Sequence, residues 1–252
     1  MAVLRAENLA KSYGGLRVFS DLSFALEAGE KVALIGPNGA GKTTLMNVLT
    51  GMTPASAGRV SLFDVDISDM PSHRRAAFGL ARSFQLNSLF NRLSLLHNVM
   101  LAIQGVQGVR YRMFRAMMAA GPNVARARAL LESVGLWGER DTTVAALSHG
   151  QQRQVEIIMA LASDPKMLLL DEPSAGLTKG ESDALIAMIR NLTKGTTVLF
   201  SAHDMDLVFT LADRVIVLYN GQIVAEGPPR DIQTDARVRE IYLGSDVELS
   251  DA

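Results

Sequence analysis

Lys42 stands behind glycines at 36, 39 and 41 and ahead of Thr43 and Thr44, a spacing suited to holding a phosphate chain. Glycine has no Cβ, so the backbone can adopt the unusual dihedrals that curl it around an anion. Pro37, Asn38 and Ala40 complete the loop. Successive N–H groups then point inward, and a helix beginning there adds its partial positive charge. Lys42 would reach the β- and γ-phosphates, while the Thr43 hydroxyl would complete a magnesium shell. Far downstream, Asp171 and Glu172 end the apolar run 167–170. Asp171 could hold magnesium through water, and Glu172 could orient or deprotonate an attacking water. His203 follows a second apolar run, within reach of a γ-phosphate if the two runs are neighbouring strands. Ser148, Gly150 and Gln151 open a helix that offers a second anion site.

These groups need a scaffold, and hydrophobic periodicity supplies one. Residues 31–35 read as a strand entering the glycine loop, and 45–50 have helical spacing. The stretches 3–9, 18–26 and 58–64 read as strands close in sequence, with turns at 13–15 and 27–30, which predicts an antiparallel β subdomain. Tyr13, in the first turn, could stack on a purine base or serve as a half-buried turn tyrosine. Residues 71–81 read as a helix with Pro71 in its first turn. Within 101–121, Tyr111, Met113, Phe114, Met117 and Met118 alternate with Arg110, Arg112 and Arg115. That mixture suits an adaptable docking surface or a membrane-facing patch, or else a core helix with a solvated basic face. Helical spacing recurs at 124–135, 148–162, 181–194 and 205–212. The runs 166–172, 196–201 and 214–219 read as buried parallel strands, whose carboxyl ends are where α/β folds bind ligands. A hairpin turn falls at Asn220 and Gly221, and from 231 onward a short helix leads to a polar, acidic end.

Composition narrows the class. With 252 residues the chain can bury a substantial core. Twenty-five basic and twenty-six acidic residues give a net charge of −1, so no nucleic-acid partner is expected. There is no cysteine, which rules out disulfides, thiolate metal sites and a cysteine nucleophile. No window is apolar enough to span a bilayer and no signal peptide is read, so a cytoplasmic protein is expected.

Tyr13, the loop 36–44, Gln85, the signature 147–151, Asp171 with Glu172, a D-loop at 174–178 and His203 follow one another in a familiar order. Over essentially its whole length the chain resembles the nucleotide-binding subunits of ATP-binding cassette (ABC) transporters. The resemblance implies an α/β fold: a RecA-like P-loop NTPase core with an antiparallel β subdomain and an inserted α-helical subdomain. One domain would fill 1–252, with core and β subdomain near 1–84 and 160–235, helical subdomain near 85–159 and tail 236–252. It implies an ATPase using ATP and Mg2+. Catalytic roles fall to Glu172, His203 and Gln85, and metal contacts to Thr43, Gln85 and Asp171. Nucleotide contacts fall to Tyr13, Gly36, Pro37, Asn38, Gly39, Ala40, Gly41, Lys42, Thr43, Thr44, Ser148, Gly150 and Gln151. The implied partners are hydrophobic membrane permease subunits, a solute-binding protein outside the membrane, and a second ATPase subunit (self or paralogue). The two ATPase subunits would form a head-to-tail ATP sandwich, lying peripherally on the cytoplasmic face of the membrane.

Finer features look like the branched-chain amino acid, urea and amide importer ATPases. They are 79–85 followed by Leu89 and Phe90, the long insert before Leu136, 150–157, and the ending 241–244. The lipopolysaccharide-export ATPase has a similar ending. Departures from the family pattern are His149 for a signature glycine, Gln154 and Met159 for frequent arginines, Thr178 for the D-loop Asp or Asn, and Lys179 for the following proline. Two other classes share the loop. Soluble ABC ATPases of DNA repair or translation usually carry a coiled-coil insertion or a second cassette, and a small-molecule kinase would leave 147–151 without a purpose.

Overall fold

The computed structural model describes residues 2–83, 89–106 and 121–243, so Gln85 and the Met/Arg stretch 110–118 lie outside the described residues. The chain runs β1 (Ala2–Tyr13), β2 (Leu16–Glu27), β3 (Lys31–Ile35), α1 (Lys42–Leu49), β4 (Ala57–Leu62), β5 (Val65–Asp66), α2 (Ser72–Ala77) and β6 (Leu80–Arg82). It continues with α3 (Leu95–Val106), α4 (Pro122–Ser133), α5 (His149–Leu161), β7 (Met167–Asp171), α6 (Lys179–Leu192) and β8 (Thr197–Ser201). Then come α7 (Met205–Leu211), β9 (Arg214–Tyr219), β10 (Gln222–Gly227), α8 (Pro229–Thr234) and α9 (Ala236–Leu243).

The strands form two sheets, as the fold class anticipated. An antiparallel sheet has the order β2-β1-β4-β5, and a second has the order β10-β9-β3-β8-β7-β6, parallel except for β10. Alternate residues of the parallel strands enter different cores. Val32 and Leu34, Met167 and Leu169, Leu199, Ile216 and Leu218 pack with the antiparallel sheet and α1. Ala33 and Ile35, Leu168 and Leu170, Val198 and Phe200, Val215 and Val217 pack under α6, α7, α8 and α9. Burial on both faces is why these strands read as unbroken apolar runs rather than alternating ones. A third cluster joins α3, α4 and α5 through Leu95, Val99, Ala127, Leu131, Val155 and Ile158.

Two expectations need correction. The predicted helix 71–81 ends at Ala77, and Pro71 is its N-cap rather than a first-turn residue. Gly79 takes a left-handed φ of +108°, which stops the helix, and Leu80–Arg82 becomes an edge strand parallel to β7. Helical periodicity over so few residues does not distinguish the two, and the glycine decides. At the other end, the single short helix expected after 231 is two helices. The second sends Val238 and Tyr242 into the core.

Candidate active site

β3 ends at the middle of the parallel sheet, and the chain must turn sharply there to enter α1. Gly36 makes the turn: its φ is +149°, and a Cβ would lie 2.0 Å from the Leu218 carbonyl oxygen on β9. Gly39 and Gly41 also have positive φ, and Gly41 N-caps α1 in the left-handed conformation. Lys42 folds back across the loop, donating from Nζ to the carbonyls of Gly36 (2.6 Å) and Pro37 (3.2 Å). Burial lowers the pKa of its ammonium, opposed by the charges of Glu172 and Asp171. Thr43 and Thr44 follow on the first turn of α1, half-buried. The loop therefore presents what a phosphate chain needs: curled backbone, a helix start and a positioned cation.

Asp171 and Glu172 stand at the carboxyl end of β7, between β6 and β8. Asp171 is 1% exposed, and both of its oxygens are engaged. Oδ1 accepts from Ser201 Oγ at 2.6 Å, and Oδ2 accepts from Arg82 Nη2 at 2.8 Å. Glu172 leaves the strand with φ +46°, a left-handed value that costs a non-glycine residue about 1–3 kcal/mol. Its N–H donates to Ser201 Oγ (2.9 Å), and its carboxylate Oε1 lies 3.0 Å from His203 Nε2. The His203 and Glu172 side chains are 38% and 33% exposed, so both remain open to a ligand. The residues thus brought together at three strand ends are Lys42, Asp171, Glu172 and His203.

Of the signature residues, His149 shares a cavity with Asp171 and Glu172, while Ser148, Gly150 and Gln151 are engaged elsewhere. Ser148 N-caps α5, accepting from Gln151 N at 3.2 Å, while Gln151 Oε1 accepts from Ser148 N at 2.9 Å, a complete capping box. Gln151 Nε2 also donates to both Glu139 oxygens. Gly150 is buried against Glu181, where a Cβ would lie 2.7 Å from Oε1. Hydrogen bonds from the Thr178 backbone and hydroxyl, and then from the Gly150 backbone, hold the Glu181 carboxyl below its ordinary pKa. Among the described residues, no hydrogen bond joins Ser148, Gly150 or Gln151 to the phosphate loop. Thr178 N-caps α6 through its own capping box with Glu181. Tyr13 ends β1 half-exposed, with Lys11 Nζ 4.6 Å from its ring centroid. The same hairpin reaches the loop, since Val18 and Phe19 border Gly41.

The donor set fits a hard divalent cation bound mainly through water and substrate. Thr43 and Asp171 offer oxygen, and among the described residues no group of three or more His, Cys, Asp or Glu could hold a metal unaided. Mg2+ commonly binds with one or two protein oxygens plus waters and phosphates. Each Asp171 oxygen keeps a second lone pair for such a water.

Sequence reasoning missed Ser201, Arg82 and Arg153. Arg153 donates to the backbone of the acidic turn, and Arg82 joins Asp171 to Asn47 on α1. The only signal for Ser201 was its place at the end of an apolar run. Nothing in spacing marked the two arginines as buried.

Residues 19–175 match the family model described as ABC transporter, and 222–248 match that for the branched-chain amino acid ATP-binding cassette transporter. The chain is 38% identical to the lipopolysaccharide export system ATP-binding protein LptB of Escherichia coli (strain K12), covering 99% of this chain and 100% of that one. It is 34% identical to the high-affinity branched-chain amino acid transport ATP-binding protein LivG of Salmonella typhimurium, covering 96% and 98%. Among solved structures, an ATP-binding cassette of an ABC transporter in its ADP conformation superposes with a TM-score of 0.87 at 32% identity, covering 97% of this chain and 99% of that one.

Proposed function

Since this chain belongs to the ABC transporter ATP-binding family and is an ATPase of that kind, we propose that it energises uptake of branched-chain amino acids or a related small polar solute such as urea or an amide. The solute would pass through hydrophobic permease subunits and be delivered by a solute-binding protein. The observation supporting import is the match of the C-terminal residues 222–248 to the branched-chain amino acid model. The chain would lie peripherally on the cytoplasmic face of the membrane, bound to those permeases; among the described residues no helix is long and apolar enough to cross a membrane.

In this reading ATP lies along the loop 36–44, with its β- and γ-phosphates at Lys42 and its base against Tyr13. Glu172 accepts the proton of the attacking water, the bond from the γ-phosphorus to the bridging oxygen breaks, and ADP and phosphate result. His203 turns from Glu172 toward the γ-phosphate. Mg2+, held by Thr43, Gln85 and, through water, Asp171, would neutralise phosphate charge as it develops. Ser148, Gly150 and Gln151 complete the nucleotide site of a second subunit, so each phosphate loop is half a site. Lys42→Met should then weaken nucleotide binding to the isolated chain, whereas Ser148→Ala should spare it and impair hydrolysis. Equal loss of affinity in both variants would contradict the shared site.

A second reading, export of a lipopolysaccharide-like lipid, is supported by the 38% identity to an export ATPase across both full lengths. Co-purification with the membrane subunits, then ATPase assays with branched-chain amino acids or lipopolysaccharide, separates the two. Stimulation by lipopolysaccharide alone would reject import.

A further inference from the structure

Arg153 lies on the second turn of α5 and is 7% exposed, yet it forms no part of the reading above. Its guanidinium donates to three consecutive carbonyls of the acidic turn. Nη2 reaches Asp171 O (2.9 Å) and Glu172 O (2.6 Å), and Nε reaches Pro173 O (2.9 Å). Nη1 is bound by Glu156 Oε2 at 2.7 Å, one turn along the same helix, and Glu156 is equally buried. A planar, always-charged fork of five donors suits three carbonyls converging from one turn, and a lysine cannot reproduce it. The turn needs holding, because Glu172 is in the left-handed region and its N–H is already tethered to Ser201. A cavity of about 290 Å³ lies alongside, lined by His149, Gln152, Arg153, Glu156, Asp171, Glu172 and Ala175.

We infer that Arg153, buttressed by Glu156, is a positioning residue that fixes the backbone of Glu172 and ties it to the helix carrying Ser148 and Gly150. A shift of α5 when its N-terminus engages a second subunit's nucleotide would move the guanidinium and, with it, the carboxylate of its own subunit. The two sites of a dimer are thereby linked through one side chain at each. This inference rests on Glu172 acting as the base.

The test uses the full chain with MgATP. In Arg153→Lys, kcat should fall about 10- to 100-fold, the scale of a catalytic group displaced by about 1 Å. The nucleotide Kd of the isolated chain should stay within about twofold, since the phosphate loop is untouched. Any positive cooperativity of the wild-type chain in ATP should be lost. Glu156→Gln keeps the volume and an acceptor and should show the same pattern more weakly. Adding Arg153→Lys to Glu172→Gln should slow turnover no further, because a misplaced base is already absent. Unchanged kcat in Arg153→Lys would overturn the inference. So would a parallel fall of kcat, nucleotide affinity and Tm, or a full additional loss in the double variant. A wild-type chain that does not hydrolyse ATP would instead refute the functional reading itself.

Discussion

His203 Nε2 and Glu172 Oε1 are 3.0 Å apart, facing each other from adjacent parallel strands. The register that pairs Asp171 with Ser201 brings Glu172, one residue past its strand, beside the turn that carries His203, two residues past its own. Each side chain is the other's partner. Glu172→Gln should lower kcat about 100- to 10,000-fold, the range for a lost general base, with ATP binding retained. His203→Ala should also lose turnover. Groups acting as a unit are not additive, so the double variant should be close to the worse single one. Phosphate release under single-turnover conditions measures this, and independent multiplication of the two losses would separate their roles.

Gly36→Ala tests the loop through its backbone. The new methyl would fall 2.0 Å from Leu218 O, a main-chain atom that cannot swing aside, at a left-handed φ. Destabilisation of about 2–4 kcal/mol is expected, together with lost nucleotide binding. Gly39→Ala meets open space and carries only the strain of a φ of +80°, so it should lose about 1 kcal/mol. Thermal melts with and without ATP would rank them, and equal effects would mean that the Leu218 contact is not what constrains the loop.

Thr178 is the sequence departure with the clearest structural account. As N-cap of α6, its Oγ1 accepts from Glu181 N while Glu181 Oε2 accepts from Thr178 N. Thr178→Ala should lose about 1 kcal/mol, or about 2–4 °C in Tm. It also removes the hydroxyl's hydrogen bond to Glu181 Oε2, leaving the backbone donors of residue 178 and Gly150. Thr178→Asp keeps the cap acceptor but cannot donate to Glu181 as the hydroxyl does, so it should recover only part of the loss, and full recovery would show that this donation contributes little.

The chemistry was legible because it is written in residue types that backbone geometry makes hard to replace. Glycines at 36, 39 and 41 announce a tight anion loop, and apolar runs ending in Asp171 and His203 announce strand ends in a buried sheet. What stayed hidden depends on tertiary packing. Helical spacing alone does not say which way Arg153 and Glu156 point, and only the fold shows that they face β7. Residues 80–82 satisfied a helical pattern until Gly79 broke it, and their place beside β7 is a long-range pairing that no local window contains. Gln85 lies outside the described residues, so its role rests on the resemblance alone.

Tyr242 extends the site's support to the C-terminus and makes it sensitive to alkali. Its ring is 3% exposed in the core beneath β3, and burial raises its phenol to about 12 from an ordinary 10.0, slightly offset by a hydrogen bond with the Gly36 backbone. The sign follows from proton counts. Below pH 10 both folded and unfolded chains hold the proton, and the contribution is fully present. Between pH 10 and 12 the unfolded chain releases it while the folded chain keeps it, so stability falls as pH rises, by about 1.4 kcal/mol per unit. Lysines titrate in the same range, and Tyr242→Phe isolates the phenol. The variant should lose the Gly36 hydrogen bond, about 1 kcal/mol at neutral pH, yet show a shallower decline than the wild-type chain from pH 10 to 12. Denaturant melts at pH 8, 10 and 11, in steps of one to two units, would reveal the crossing slopes. Parallel declines in the two proteins would mean that the Tyr242 phenol ionises as readily folded as unfolded, and that α9 does not shield the start of the phosphate loop from solvent.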